Sequence, residues 1–518
     1  MRLLQETSIE WALKHITRYY DSDFFPRLFE VEAMANNWPE VKAHIANIDL
    51  DKYAPQTPFS SLALKKYSTF RIVHQLDPID SIIYTALLYE CSQKLESYRV
   101  PEDRLIACSY RVKPDVNGSF FGSSLDGYQN FKQQSEKLAQ EYPQGFVVVC
   151  DITDFYNQIY LHRVSNVLSE AGVENANTLE SFLSGLNTNT SRGVPVGPAA
   201  SILVAEAIMA DIDSMILKVT PSFTRYVDDT HVFFQSASDA RFFLHELTRY
   251  LHNNHRLVLS SEKTFVISSK GFVEDYLMDP ERQEQAAIHE RLAELSGGAY
   301  LGPDEYVSID DLESKEQFKL RAGVYKEILT EAIENERIDF GVLRHVLRKA
   351  GSYRMRSLLP IVLKNFGSLL PVVRDVVVYV ERVLNDKSVQ LYTEHFKDIL
   401  AADYVRIPFI NVWVFTMFQN SLFNEIELKI DYSRIIRIRE QALIARREGN
   451  RAWIKDHKNN LDVLGPWDKR AVLYAGMILS ADELKHWAGI ASSKGSLLEK
   501  SVAGLAVSEN RKLQAASV

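Results

Sequence analysis

The stretch Ser222-Phe-Thr-Arg-Tyr-Val-Asp-Asp-Thr-His-Val-Phe-Phe234 constrains this chain more than any other. β-Branched and aromatic residues run on both sides of Asp228-Asp229, and carboxylates suit a tight turn, so it reads as a β-hairpin. An Asp-Asp turn alone is ordinary solvated turn chemistry. Two acids between strands this apolar, however, are costly to bury unless a cation lies against them. Upstream, Gly145-Phe-Val-Val-Val-Cys-Asp-Ile152 is a short unbroken apolar run, the mark of a strand covered on both faces, and it ends on Asp151. Three carboxylates at the ends of two buried strands suit Mg2+, a hard ion that keeps waters and phosphate oxygens in its octahedral shell. Two such ions about 3.5–4 Å apart activate a hydroxyl and neutralise a leaving pyrophosphate, which is the chemistry of nucleotidyl transfer.

Four motifs then carry a family resemblance. Tyr226-Val-Asp-Asp229 resembles the catalytic box of reverse transcriptases, and Asp151-Ile-Thr-Asp-Phe-Tyr156 resembles their first palm motif. Arg192-Gly-Val-Pro-Val-Gly-Pro198, followed by an apolar helical run to about Leu217, is similar to the motif beneath the incoming nucleotide. Leu259-Ser-Ser-Glu-Lys-Thr264 is similar to the lysine-bearing motif. The helix Ser8–Tyr20, the break Asp21–Pro26, Phe29-Glu30 and the helix around Trp38 resemble the amino-terminal extension of bacterial defence-associated reverse transcriptases of the abortive-infection (AbiK-like) group.

The resemblance implies an α+β chain. A right-hand polymerase of fingers and reverse-transcriptase-like palm is followed by an all-α, HEAT-like helical repeat domain. The expected boundaries are a helical extension at 1–60, fingers at 61–140, palm at 141–275, a linker at 276–305 and the helical domain at 306–518. It further implies two Mg2+ ions, with Mn2+ as a substitute, on Asp151, Ile152, Asp228 and Asp229, Asp229 binding less directly than Asp228. Tyr156 falls where a ring would clash with a 2′-hydroxyl and favour deoxynucleotides. Lys263 matches the lysine that protonates or neutralises the leaving pyrophosphate. Arg71 and Arg111, with Lys66, fall where the fingers grip the triphosphate, and Gly193 and Val196 lie in the nucleotide-binding motif. Val196 departs from the family's pattern, because template-copying members carry Gln there.

The bulk properties are compatible with this and do not point to it. A chain of 518 residues is material for about two to four domains. Its net charge of −9 gives no overall nucleic-acid signature, so any nucleic acid must meet local basic patches. Cys91, Cys108 and Cys150 are far apart and suggest neither a zinc site nor disulfides. With no leader-like N-terminus and no apolar run of about 20 residues, a bacterial cytoplasmic address and no membrane partner are expected.

The function expected is a DNA polymerase of the reverse-transcriptase class in antiphage defence, with dNTPs and a DNA product as partners. Its synthesis is template-independent and protein-primed in one reading, and copies a dedicated non-coding RNA in another. A third reading makes the palm a non-catalytic scaffold that senses a phage component. Homo-oligomers are expected from the group, with the helical half supplying the interfaces. Arg344, Arg348, Lys349, Arg354 and Arg356, and later Arg434, Arg437, Arg439, Arg446 and Arg447, are there the basic clusters suited to a phosphate backbone.

Overall fold

The described residues form six strands: β1 Phe59–Lys66, β2 Thr69–Gln75, β3 Phe146–Cys150, β4 Phe223–Tyr226, β5 Asp229–Phe234 and β6 Phe265–Ser268. The computed structural model describes residues 2–20, 22, 24–66, 69–122, 124–174, 176–277, 315–334 and 340–515, without the side chains of 66, 124–126 and 315–320. The expected linker at 276–305, apart from residues 276 and 277, lies outside the described residues. The chain divides into two compact units. One comprises Met1–Asp23, Lys42–Ser60 and Val73–Glu284; the other comprises Phe24–Val41, Ser61–Ile72 and Gln285–Val518. Residues 61–72, expected with the fingers, therefore group with the helical half.

The first unit is built on a four-stranded antiparallel sheet of order β4-β5-β3-β6. Along β3 and β5 successive side chains alternate between faces. Val147, Val149 and Phe233 join Leu138, Ala139 and Phe272 in one cluster. On the other face Phe234 meets Phe243 of the helix Ala237–Tyr250, ring centroids 5.1 Å apart. Both faces are covered, which is why β3 reads as an unbroken apolar run. The outer edge of β4 is closed by the segment before Ser109: Arg225 N–H donates to Ile106 O at 2.8 Å, and Cys108 N–H donates to Arg225 O at 3.0 Å. The helix Pro78–Tyr98 opens as its sequence suggests, with Asp77 Oδ1 accepting from Ile79 N–H at 3.2 Å and Pro78 in the first turn. It packs on the apolar helix Ala199–Leu217, which starts after Pro198.

The second unit is helical apart from the strand residues it shares. Lys315–Glu334, Phe340–Ser352, Val373–Val383, Pro408–Met417, Ile438–Glu448, Pro466–Ala475 and Leu497–Ala515 pack in that order, each on the next. No described helix is long and apolar enough to cross a membrane. The N-terminal helix Phe29–Asn36 packs on Leu497–Ala515. Its Glu30 is fully buried and takes a forked pair of bonds from Arg439, at 2.6 and 2.8 Å, plus one from Arg470 Nε at 3.1 Å. The Arg439 guanidinium is stacked 4.6 Å from the Phe29 ring centroid, and that of Arg470 lies 4.8 Å from Trp467.

Burial by itself would raise the Glu30 pKa, but Arg439 and Arg470 outweigh it and hold the carboxyl at about 2. The sign is that of a depressed carboxylate: the stabilisation is complete above the ordinary value of 4.5 and is lost as pH falls toward 2. Replacing Glu30→Gln should lower the unfolding free energy by about 3–5 kcal/mol at pH 7, with a smaller difference at pH 3. Urea denaturation at the two pH values measures both; an equal loss at each would exclude the carboxylate as the cause.

Candidate active site

The hairpin places its acids differently from a simple Asp-Asp turn. Tyr226 pairs with Asp229, so the two turn residues are Val227 and Asp228, and Asp229 is the first residue of β5. Val227 has φ +58, a left-handed conformation that a β-branched side chain disfavours by about 1–3 kcal/mol. Two bonds hold it there. Its N–H donates to Ser109 Oγ at 2.9 Å, and its carbonyl accepts from Arg225 Nη1 at 3.1 Å.

The β3–β5 register, with Cys150 opposite Thr230, brings Asp151 beside the start of β5. Burial first, and then the charges of Asp229, Asp151 and Asp228, push the Cys150 thiol up to about 12. The same crowding acts on Asp228, whose carboxyl is raised to about 7 by burial, by Asp151 and by Asp229. Lys263 answers part of this charge. Thr153 N–H donates to Val258 O at 2.9 Å and Ser260 N–H donates to Asp151 O at 2.8 Å, laying the lysine-bearing segment along Asp151–Thr153. Ile152 forms the bridge to Leu259 within this contact. Lys263 Nζ then reaches Asp151 Oδ1 at 2.9 Å while its side chain stays 54% exposed. Burial works to lower the lysine's pKa, but the carboxylates, Asp151 first, outweigh it.

Among the described residues no three Asp, Glu, His or Cys side chains stand gathered as a ready metal site. The donor set nonetheless fits a hard divalent ion. It is made of carboxylate oxygens, burial and the neighbouring Asp151 and Asp229 raise the Asp228 carboxyl so that a cation there would be welcome, and the Lys263 ammonium already lies on Asp151.

Beside the acids, Tyr156 sits in the short helix Phe155–Gln158, and its carbonyl accepts from Val194 N–H at 2.9 Å. Burial raises the phenol's pKa well above its ordinary value, and the charges of Tyr110, Glu206 and Asp228 add to this. Gly193 has φ +96, which favours glycine, and its N–H donates to Ile159 O at 2.9 Å. The buried Val196 faces β2: its N–H donates to His74 Nδ1 at 3.1 Å and its carbonyl accepts from His74 N–H at 2.8 Å. Next to it, a Cβ on Gly197 would lie 2.8 Å from the His74 carbonyl oxygen, so only glycine lets β2 approach.

The basic residues are not all gathered here. Arg111 is turned inward, its side chain only 9% exposed. It is paired with Glu96 and donates to the carbonyls of Val100 at 3.0 Å and Ala107 at 3.1 Å. Arg71 is exposed on β2 within the second unit, where its charge is felt by Arg344. Lys66 ends β1, and its side chain lies outside the described residues. Arg344 and Arg348 share Asp375, at 3.8 and 2.7 Å. Sequence reasoning passed over Ser109 and Arg225, the residues that grip the turn. The available signal was a charged residue in the middle of an otherwise apolar and hydroxylic strand.

Residues 80–302 match the family model of reverse transcriptase (RNA-dependent DNA polymerase), so the chain carries a reverse transcriptase domain. Among solved structures it is similar to the telomerase of Candida albicans in complex with a TWJ fragment of telomeric RNA. That match has 14% identity, a TM-score of 0.30 and coverage of 74% of this chain and 64% of that one. It is also similar to the apo telomerase of Candida tropicalis, at 11% identity and a TM-score of 0.31, over 78% of this chain and 73% of that one. At these scores neither structure bears on the fold or the chemistry. No curated protein matches the chain.

The Asp228 carboxyl titrates near 7 in the folded chain against an ordinary 3.8, so folding takes up a proton between these values and stability falls as pH rises through them. Asp228→Asn should therefore stabilise the chelator-treated protein by about 1–3 kcal/mol at pH 8 and change little at pH 4. Urea unfolding at both pH values tests this, and a destabilised variant at pH 8 would contradict it.

Proposed function

We propose that this chain is a metal-dependent DNA polymerase that joins dNTPs at Asp151, Asp228 and Asp229. What supports this most is the strand register that sets Asp151, at the end of β3, beside Asp228 and Asp229 at the start of β5, within a reverse transcriptase domain. Asp151 and Asp228, with Asp229 and the main chain at Ile152, would hold two Mg2+ or Mn2+ ions. When bound, these ions activate the attacking hydroxyl and neutralise charge on the phosphates.

The chain's own groups supply the rest. The Tyr156 ring excludes a 2′-hydroxyl from the sugar site. The Lys263 ammonium, kept protonated by its carboxylate neighbours, offers a proton and a positive charge to the departing pyrophosphate. Gly193 and Val196 form the floor beside them. Arg71 belongs to this reading as a phosphate contact. Arg111 does not, since its guanidinium is committed to Glu96 and two carbonyls.

The finer reading is template-independent, protein-primed synthesis in bacterial antiphage defence, by a homo-oligomer of the abortive-infection kind with a HEAT-like helical half. Val196 supports the template mode: the position is apolar and both its main-chain groups are bonded to His74, so it offers no polar side chain to a nascent base pair. The serial packing of the second unit's helices supports the repeat assignment.

Incorporation of labelled dNTPs should occur with Mg2+ after removal of co-purified nucleic acid and without added template. It should fall by about 10³-fold or more in Asp228→Asn. Label freed from the protein by protease identifies a protein primer; synthesis only with an RNA present would replace the template-free reading with the templated one. Tyr156→Val should raise rNTP use relative to dNTP by about 10–100-fold. A wild type inert with every template would leave the palm as a scaffold.

A further inference from the structure

Beneath the turn lies a buried set of charges. Ser109 Oγ, which accepts from Val227 N–H, donates in turn to Glu206 Oε1 at 2.5 Å. Glu206 Oε2 is shared by Arg99 Nη2 at 2.7 Å and Arg225 Nη1 at 2.9 Å. Arg225 Nε spans both oxygens of Asp213, at 2.7 and 2.9 Å, and Nη1 also reaches the Val227 carbonyl at 3.1 Å. Arg99 ties the set back to the Ser109 carbonyl at 2.7 Å. Glu206 and Asp213 are two turns apart on one face of the helix Ala199–Leu217. The four charged side chains are 0–2% exposed.

Stability alone is a poor reason to bury such a set, because apolar residues of similar volume do as well or better. Saturation is incomplete too: Arg225 Nη2 and Arg99 Nε are buried without a hydrogen-bond partner among the described residues. What the network does provide is directional. It grips both polar main-chain groups of Val227, a residue whose left-handed backbone would relax if released, and Asp228 is the next residue. Two cations and two anions cancel, so the grip adds no net charge beneath the acids.

We propose that Ser109, Glu206 and Arg225 are positioning residues that clamp the Val227-Asp228 turn in its strained form and so aim Asp228 at the site shared with Asp151. The catalytic consequence rests on the polymerase reading; the clamp itself does not.

The test compares Ser109→Ala, which deletes the link, with Ser109→Thr, which keeps a hydroxyl, in the full chain. Amide exchange of the peptide spanning 226–229 should quicken about tenfold in Ser109→Ala and return toward wild type in Ser109→Thr. Incorporation should show kcat lowered about tenfold, KM for dNTP unchanged and the Mg2+ half-saturation raised, again restored by Thr. Exchange and kcat within twofold of wild type would overturn the proposal. So would losses that follow the melting temperature and are not rescued by Thr. If wild type and Asp228→Asn were equally inert, the polymerase reading would fail, and the exchange rates would still decide the clamp.

Discussion

Like charge at close range is the constraint from which the first unit follows. Asp228 is drawn into a site already held by Asp151 and Asp229, and burial first, then the repulsion of these two, brings its carboxyl to about 7. Such a group cannot lie in the middle of a sheet covered on both faces, so the acids stand where β3 ends and β5 begins. On the open side a half-exposed Lys263 meets Asp151. On the closed side two arginines are each matched by a carboxylate, so the interior beneath the turn is neutral and the surplus negative charge is confined to the acids. A cation arriving from solvent then meets an uncompensated field only where the strands end.

The same economy of approach governs the floor beside the acids. Val196 and His74 exchange main-chain and ring bonds, and Gly197 leaves no side chain to hold β2 away. Tyr156, tied through its carbonyl to Val194, brings a buried phenol within reach of Asp228's charge. Glycine and two bonds to His74, one to its main chain and one to its ring, set the shape of this surface.

The sequence made the sheet strands legible because their periodicity is local: β3 is continuously apolar, β4 and β5 flank a turn, and Asp77-Pro78 and Pro198 mark helix starts. The meeting of Asp151 with Asp228 and Lys263 was legible from the motif resemblance, which carries distances that periodicity cannot. The turn's true residues were not, because placing Val227 at φ +58 violates its own preference and needs tertiary bonds. Arg225 was invisible for the same reason: a strand arginine reads as solvent-facing until a helix offers it Glu206 and Asp213. Those two acids, two turns apart on a mostly apolar helix that also carries Asp211, were a second clue beside the charge in the strand itself. Arg111 was expected to grip the triphosphate, and nothing local announced that Glu96 would claim it.

The helix Phe29–Asn36 has one consequence for synthesis of the chain. Glu30 waits for Arg439, 409 residues later. At about 5–20 residues per second the ribosome needs roughly 20–80 s to deliver that partner. Until then a carboxylate and the Phe29 ring, whose native partners are still untranslated, must remain in water. The helical array can grow one interface at a time from Lys315 onward, but its last helix, Leu497–Ala515, packs on a segment made near the beginning. Closure is thus a late, long-range event, and the second unit is completed only after Leu497–Ala515 has emerged from the ribosome.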